Sequence, residues 1–148
     1  MRLSSSAING MPNPNMAFGI ENLESIRKPE LEADVYIEAF GCRITRPRRA
    51  RYGPTVDDLE LLVEWLSQYL DKVTEVHRPF GTMEPAFGLT FSRASGSTTE
   101  VSARLQAYGT VDAYYDTQTG PAITFETTNE TISRSRQQLI DELKVLAQ

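Results

Sequence analysis

Acid–base, nucleophilic and metal chemistry depend on a few side-chain types, and this chain is poor in two of them, with one histidine, His77, and one cysteine, Cys42. His77 lies in VHRPF with no nucleophile or carboxylate at a spacing that defines a catalytic pair, so it reads as a loop histidine shielded by Phe80. Cys42 stands near Phe40 and Ile44 in a strand-like segment, where a free thiol behaves as a small buried hydrophobe. A lone cysteine forms no internal disulfide, and one cysteine with one histidine does not assemble a zinc site. Glu84 precedes Pro85 and has the chemistry of a general acid, but no second carboxylate sits near it in sequence to divide the acid and base roles. The sequence contains no GxSxG elbow, no HExxH pair and no glycine-rich phosphate loop. The residue types therefore predict no catalytic residue, no metal, no cofactor, and a protein that is not an enzyme.

Charge is the stronger signal. The chain carries 20 acidic against 15 basic side chains, a net charge of −5. Binding to nucleic acid through phosphates is driven by counterion release and calls for a basic face, so this balance argues against a nucleic acid and suits a basic partner. Arginines concentrate in one place, Arg43, Arg46, Arg48, Arg49 and Arg51. Guanidinium forks there suit a phosphate or an acidic surface, and equally suit pairing with carboxylates of the helix that follows.

That helix, DDLELLVEWLSQYL, carries the most specific feature. Thr55 and Asp58 have the spacing of a capping box. Leu59, Leu62, Val63, Leu66 and Leu70 make one apolar stripe that must pack on a sheet, with Trp65 and Tyr69 at its edge. At about 100° per residue, Asp57, Glu60, Glu64 and Asp71 project within a sector of about 60° on the opposite side. No lysine or arginine occurs from Val56 to Asp71, so Glu60 and Glu64, one turn apart, are left to repel. One reading is the hydrated side of an amphipathic helix. The other is a docking ridge, where preset negative charge speeds encounter with a cationic surface and Trp65 and Tyr69 supply anchors.

The elements that position these residues follow from periodicity. Residues 1 to 15 mix serine, glycine, asparagine and proline and read as a flexible leader, with 16 to 148 as a single domain. Met16 to Ile20 reads as a short strand, and Glu21 to Glu32 as a polar connector broken by Pro29. Asp34 to Arg46 alternates as a strand with a bulge at Gly41. After the helix, Glu84 to Arg93, Glu100 to Tyr108, Val111 to Tyr115 and Ala122 to Thr127 read as a meander. The closing segment SRSRQQLIDELKVLAQ reads as a helix, with Leu139, Leu143 and Leu146 on one face together with Ile132 just before it. The predicted fold is α+β, a mainly antiparallel sheet of about five or six strands with two helices packed on it, in the order β-β-α-β-β-β-β-α. No window holds the ~18 apolar residues of a membrane span. The opening residues lack the apolar run of a secretory signal, so a cytoplasmic location is expected.

Taken together, DVYIEAFGCRI, DDLELLVEWLSQYL, the Glu84-Pro85-x-Phe87-x-Leu89-x-Phe91 strand, the meander and the closing helix resemble the small bacterial immunity proteins of the WapI type over roughly residues 16 to 148. The resemblance implies a protein partner, the toxin domain of a contact-dependent polymorphic toxin, and no catalytic residues. The expectation from charge and resemblance is a binding protein, monomer or homodimer, that covers the active surface of a basic toxin with the ridge of Asp57, Glu60, Glu64 and Asp71. The alternative is a small ligand-binding or enzymatic domain whose sheet lines a pocket with Tyr108, Tyr114 and Tyr115 beside Arg104 and Glu84.

Overall fold

Alternation of apolar and polar residues on both sides of the first helix builds two antiparallel sheets rather than one. The computed structural model describes residues 1–7, 15–27, 29–46, 48, 53–71, 77–82, 86–106 and 120–148. Sheet 1 contains β1 (Arg2–Ser4), β2 (Met16–Arg27), β3 (Glu30–Ala39) and β4 (Cys42–Thr45) in that spatial order. The helix α1 (Val56–Asp71) follows. Sheet 2 contains β5 (Phe80–Gly81), β6 (Phe87–Ser95), β7 (Thr98–Leu105) and β8 (Ala122–Thr128), again in sequence order, and α2 (Asn129–Leu146) ends the chain.

The α+β class and the antiparallel pairing agree with the sequence reading, while the strand count and order differ. Four described strands precede α1 where two were expected. Part of the difference is Arg2–Ser4, inside the segment read as a leader. It pairs with β2 in the register Leu3↔Phe18, and its Leu3 side chain is fully buried. The other part is Asp34 to Arg46, read as one strand, which a hairpin after Ala39 divides into β3 and β4. Glu21 to Glu32, read as a connector, instead extends β2 and opens β3 without adding a strand. A register shift between Glu21 and Glu24, with Asn22 in the left-handed region at φ 54°, turns the strand without ending it. The Asn22 amide donates to Asp34 at 2.7 Å and fixes that bend. Cross-strand carboxylates Glu24 and Glu32 would repel each other. Arg48 lies between them at 2.8 and 3.3 Å and also reaches Asp34 at 3.4 Å. Local periodicity cannot register a neutralising charge that arrives from so far along the chain.

Gly41 is a turn residue rather than a bulge. Ala39 pairs with Cys42, and the two residues between them, Phe40 and Gly41, both have positive φ, 51° and 78°. That is the geometry of a two-residue hairpin whose twist matches the strands.

The core forms between the inner faces of the two sheets and the apolar stripes of the helices. Phe18 of β2 meets Phe87 of β6 with ring centroids 5.1 Å apart. Leu59, Leu62 and Leu66 of α1 and Ile132 and Leu139 of α2 join the same cluster. The capping box is formed as expected. The Thr55 amide donates to Asp58 Oδ2 at 2.8 Å, and the Asp58 amide returns a bond to Thr55 Oγ1 at 3.2 Å. Of the predicted meander, Val111 to Tyr115 lies outside the described residues.

Candidate functional site

The acid residues singled out on α1 lie where helical geometry puts them. Asp57, Glu60, Glu64 and Asp71 are all exposed, and none forms an ion pair among the described residues. Glu64 accepts one weak bond from Gln68, one turn further on, at 3.3 Å. Beside them on the helix surface lies Leu61, which is 52% exposed. Helical spacing places Leu61 one turn from both Asp57 and Glu64, about 40° beyond Asp57, so the ridge is a row of carboxylates with one apolar side chain on its flank.

Trp65 and Tyr69, expected at the edge of the stripe as surface anchors, are core residues, 9% and 3% exposed. The indole ring of Trp65 packs on Phe91 at 4.6 Å and Phe80 at 5.7 Å, and its Nε1 donates to the Arg78 carbonyl at 2.8 Å. Tyr69 meets Phe91 edge-on at 5.0 Å, and its hydroxyl shares a 2.6 Å bond with Thr99 Oγ1. Sheet 2 accepts both rings because Phe91 of β6 meets each of them and Phe80 of β5 meets Trp65. Heptad-like counting along one helix shows where a ring points and not what stands opposite. On α1, Leu61 is an exposed apolar residue that sequence reasoning missed. Its signal was present, a leucine on the charged face rather than on the stripe.

His77 packs its ring against Trp65 at 4.5 Å and Tyr69 at 5.1 Å, which makes it part of this aromatic group rather than a partner of Phe80 alone. Cys42 is exposed, against the expectation of burial, because β4 is the outermost strand of sheet 1.

Within the arginine group, Arg43 and Arg48 pair with carboxylates of the strands instead of α1. Arg43 donates to Glu21 at 2.6 Å and Glu38 at 3.1 Å, and its guanidinium lies 3.8 Å from the centre of the Tyr36 ring. Arg2 adds a bond to Glu38 at 2.8 Å. The two guanidiniums, Arg2 first and then Arg43, hold the Glu38 carboxyl below its ordinary pKa. Arg46 is buried, which lowers its pKa. Arg49 and Arg51 lie outside the described residues. The outer face of sheet 1 is thus an ionic lattice in which Glu21, Glu24, Glu32, Asp34 and Glu38 each have an arginine partner.

An open groove of about 490 Å³ borders that lattice, between the outer face of sheet 1 and α2, with Arg2, Tyr36, Arg43, Gln138 and Asp141 among its walls. Its guanidiniums already hold Glu21 and Glu38, so the groove offers paired charge to a ligand. For the alternative pocket on the meander, Tyr108, Tyr114, Tyr115 and Glu84 lie outside the described residues, and Arg104 is a half-buried residue of β7. The inner face of sheet 2 is filled by Phe87, Leu89, Phe91 and Val101. Among the described residues no group of three or more His, Cys, Asp or Glu is placed to hold a metal ion. No described helix is long and apolar enough to cross a membrane. No family model matches the chain, and no curated protein matches it either.

Proposed function

We propose that this chain is an immunity-type binding protein of the cytoplasm that neutralises a cognate toxin domain by laying the acidic face of α1 over a basic active surface. The observation that carries this reading is a contrast within one molecule. On sheet 1 the carboxylates Glu21, Glu32, Asp34 and Glu38 are each met by an arginine. On α1, Asp57, Glu60, Glu64 and Asp71 are left exposed without a described cation. Unpaired like charge on a helix face costs a few tenths of a kcal/mol per pair, and a cationic partner relieves it on binding. Long-range attraction then steers the encounter, and Leu61 supplies the apolar contact that a purely ionic face lacks.

The reading requires an open reading frame beside this gene that encodes a long secreted protein ending in a small basic domain. That domain, purified, should bind the chain with an association rate that falls steeply as salt rises. Glu60→Lys combined with Glu64→Lys should slow association by about tenfold or more and flatten the salt dependence, while the fold is retained. Unchanged affinity and salt dependence in that double variant would dispose of the assignment.

A further inference from the structure

The two edges of sheet 1 are finished differently. Along β1 the outward backbone groups are occupied: the Arg2 amide donates to Gln138 Oε1 at 3.2 Å, and Ser135 Oγ donates to the Arg2 carbonyl at 2.7 Å, both from α2. The Ser6 amide, just beyond β1, donates to the Glu126 carbonyl of β8 at 3.1 Å. Along β4 all four residues, Cys42 to Thr45, are exposed.

The register shows which backbone groups are open there. The Arg46 amide donates to the Val35 carbonyl at 2.8 Å, and pairing runs back through Ile37↔Ile44 to Ala39↔Cys42. Antiparallel ladders alternate, so Cys42, Ile44 and Arg46 turn their amide and carbonyl groups toward β3. Arg43 and Thr45 turn theirs outward, to an edge that no described strand pairs with. An edge arginine normally discourages strand addition by projecting charge across it. Here Arg43 is folded back over Tyr36 and held by Glu21 and Glu38, away from the seam. On the core-facing side, Ile44 is 51% exposed, so the second layer of the molecule stops short of the edge and leaves room beside it. Phe40, 75% exposed at the hairpin tip, continues the apolar strip.

We propose that β4 pairs antiparallel with β4 of a second copy of this chain, about a twofold axis at Ile44, to make one continuous eight-stranded sheet. The edge is self-complementary in this register. Arg43 stands opposite Thr45 of the other copy, and each pair exchanges both of its outward amide and carbonyl groups. The two Ile44 residues then form a non-hydrogen-bonded pair, the type with the closest side chains. The strand is short and the buried area small, which places the dimer among weak, concentration-dependent ones. The proposal stands apart from toxin binding, which uses α1.

Two measurements on the full chain test it. In light scattering over a dilution series, the wild type should pass from dimer to monomer. Thr45→Pro removes an amide that β3 does not use, so the monomer should fold normally. It should weaken the dimer by about thirtyfold, through the loss of two symmetry-related hydrogen bonds. In a Cys42→Ser background, Ile44→Cys should cross-link rapidly under mild oxidation, because Cα atoms of such a pair stand ~4.5 Å apart, within disulfide range. Thr45→Cys in that background should not, since its mate is offset by two residues, about 7 Å along the strand. A wild type that stays monomeric at every concentration overturns the proposal. So does equal cross-linking at positions 44 and 45, or a dimer that Thr45→Pro leaves intact.

Discussion

Substituting Gly19 by alanine probes the outer face of sheet 1 at its tightest point. Gly19 of β2 is the register partner of Tyr36 of β3, and the Tyr36 ring lies across the space that a Cβ would fill, overlapping it at Cζ and at the hydroxyl. Tyr36 points outward and is nonetheless only 1% exposed, because Gly19 lets its ring lie down and Arg43 covers it. The ring has little freedom to yield. Arg43 sits 3.8 Å from its centre, and Arg2 Nη1 donates to its hydroxyl at 3.2 Å. Displacing it costs ~1–3 kcal/mol in overpacking, ~1 in the Arg2 hydrogen bond and ~0.5–1 in the cation–π contact. Alanine returns ~0.5–1 kcal/mol through the lower backbone entropy of the unfolded chain. The net expectation for Gly19→Ala is a loss of about 2–4 kcal/mol, read in urea as a lower midpoint at unchanged slope. In a Tyr36→Ala background the same substitution should be neutral or stabilising, so the double-mutant cycle should show a coupling of about 2 kcal/mol or more. A loss below about 1 kcal/mol in the wild type, or an equal loss in both backgrounds, would refute the packing account.

Two other substitutions test the ionic lattice and the helix start. Glu38 has its carboxyl pKa lowered by hydrogen bonds from Arg2 and then Arg43, so its contribution to stability is present above the unfolded value of 4.5 and is lost as pH falls through the folded value. Glu38→Gln should flatten the acid limb of a stability–pH curve below that point; an unchanged slope would show that the pairing is not felt in solution. Thr55→Val removes the Oγ1 that accepts from the Asp58 amide at 3.2 Å and donates to its carboxylate at 2.9 Å. It should cost about 1–2 kcal/mol and lower Tm by several degrees in a thermal melt.

Local patterns settled a good deal. The capping pair Thr55 and Asp58, the alternation at Phe87, Leu89 and Phe91 and at Val101, Ala103 and Leu105, and the helical rows Leu59, Leu62, Leu66 and Ile132, Leu139 are all interactions between near neighbours or repeats of one period. Each reports directly on which face is buried. The acidic ridge was legible for the same reason, since four positions on one helix are related by helical geometry alone. Strand existence was hidden where neutralisation is remote. Glu24, Glu32 and Asp34 are tolerated on one face only because Arg48 returns to them, and Arg2–Ser4 is a strand because β2 and α2 stand ready on either side.

The α+β class, the antiparallel pairing, the two helices and the outward direction of Asp57, Glu60, Glu64 and Asp71 were legible in the residues alone, because these follow from periods of two and 3.6 residues within single segments. Contacts across the chain divide the strands into two sheets, make Trp65 and Tyr69 core rings rather than anchors, leave Cys42 exposed, and set Arg43 and Arg48 against carboxylates on β2 and β3. Those outcomes depend on which surfaces meet across long stretches of chain, where the energy of a side chain is set by what lies opposite it and not by its neighbours in sequence.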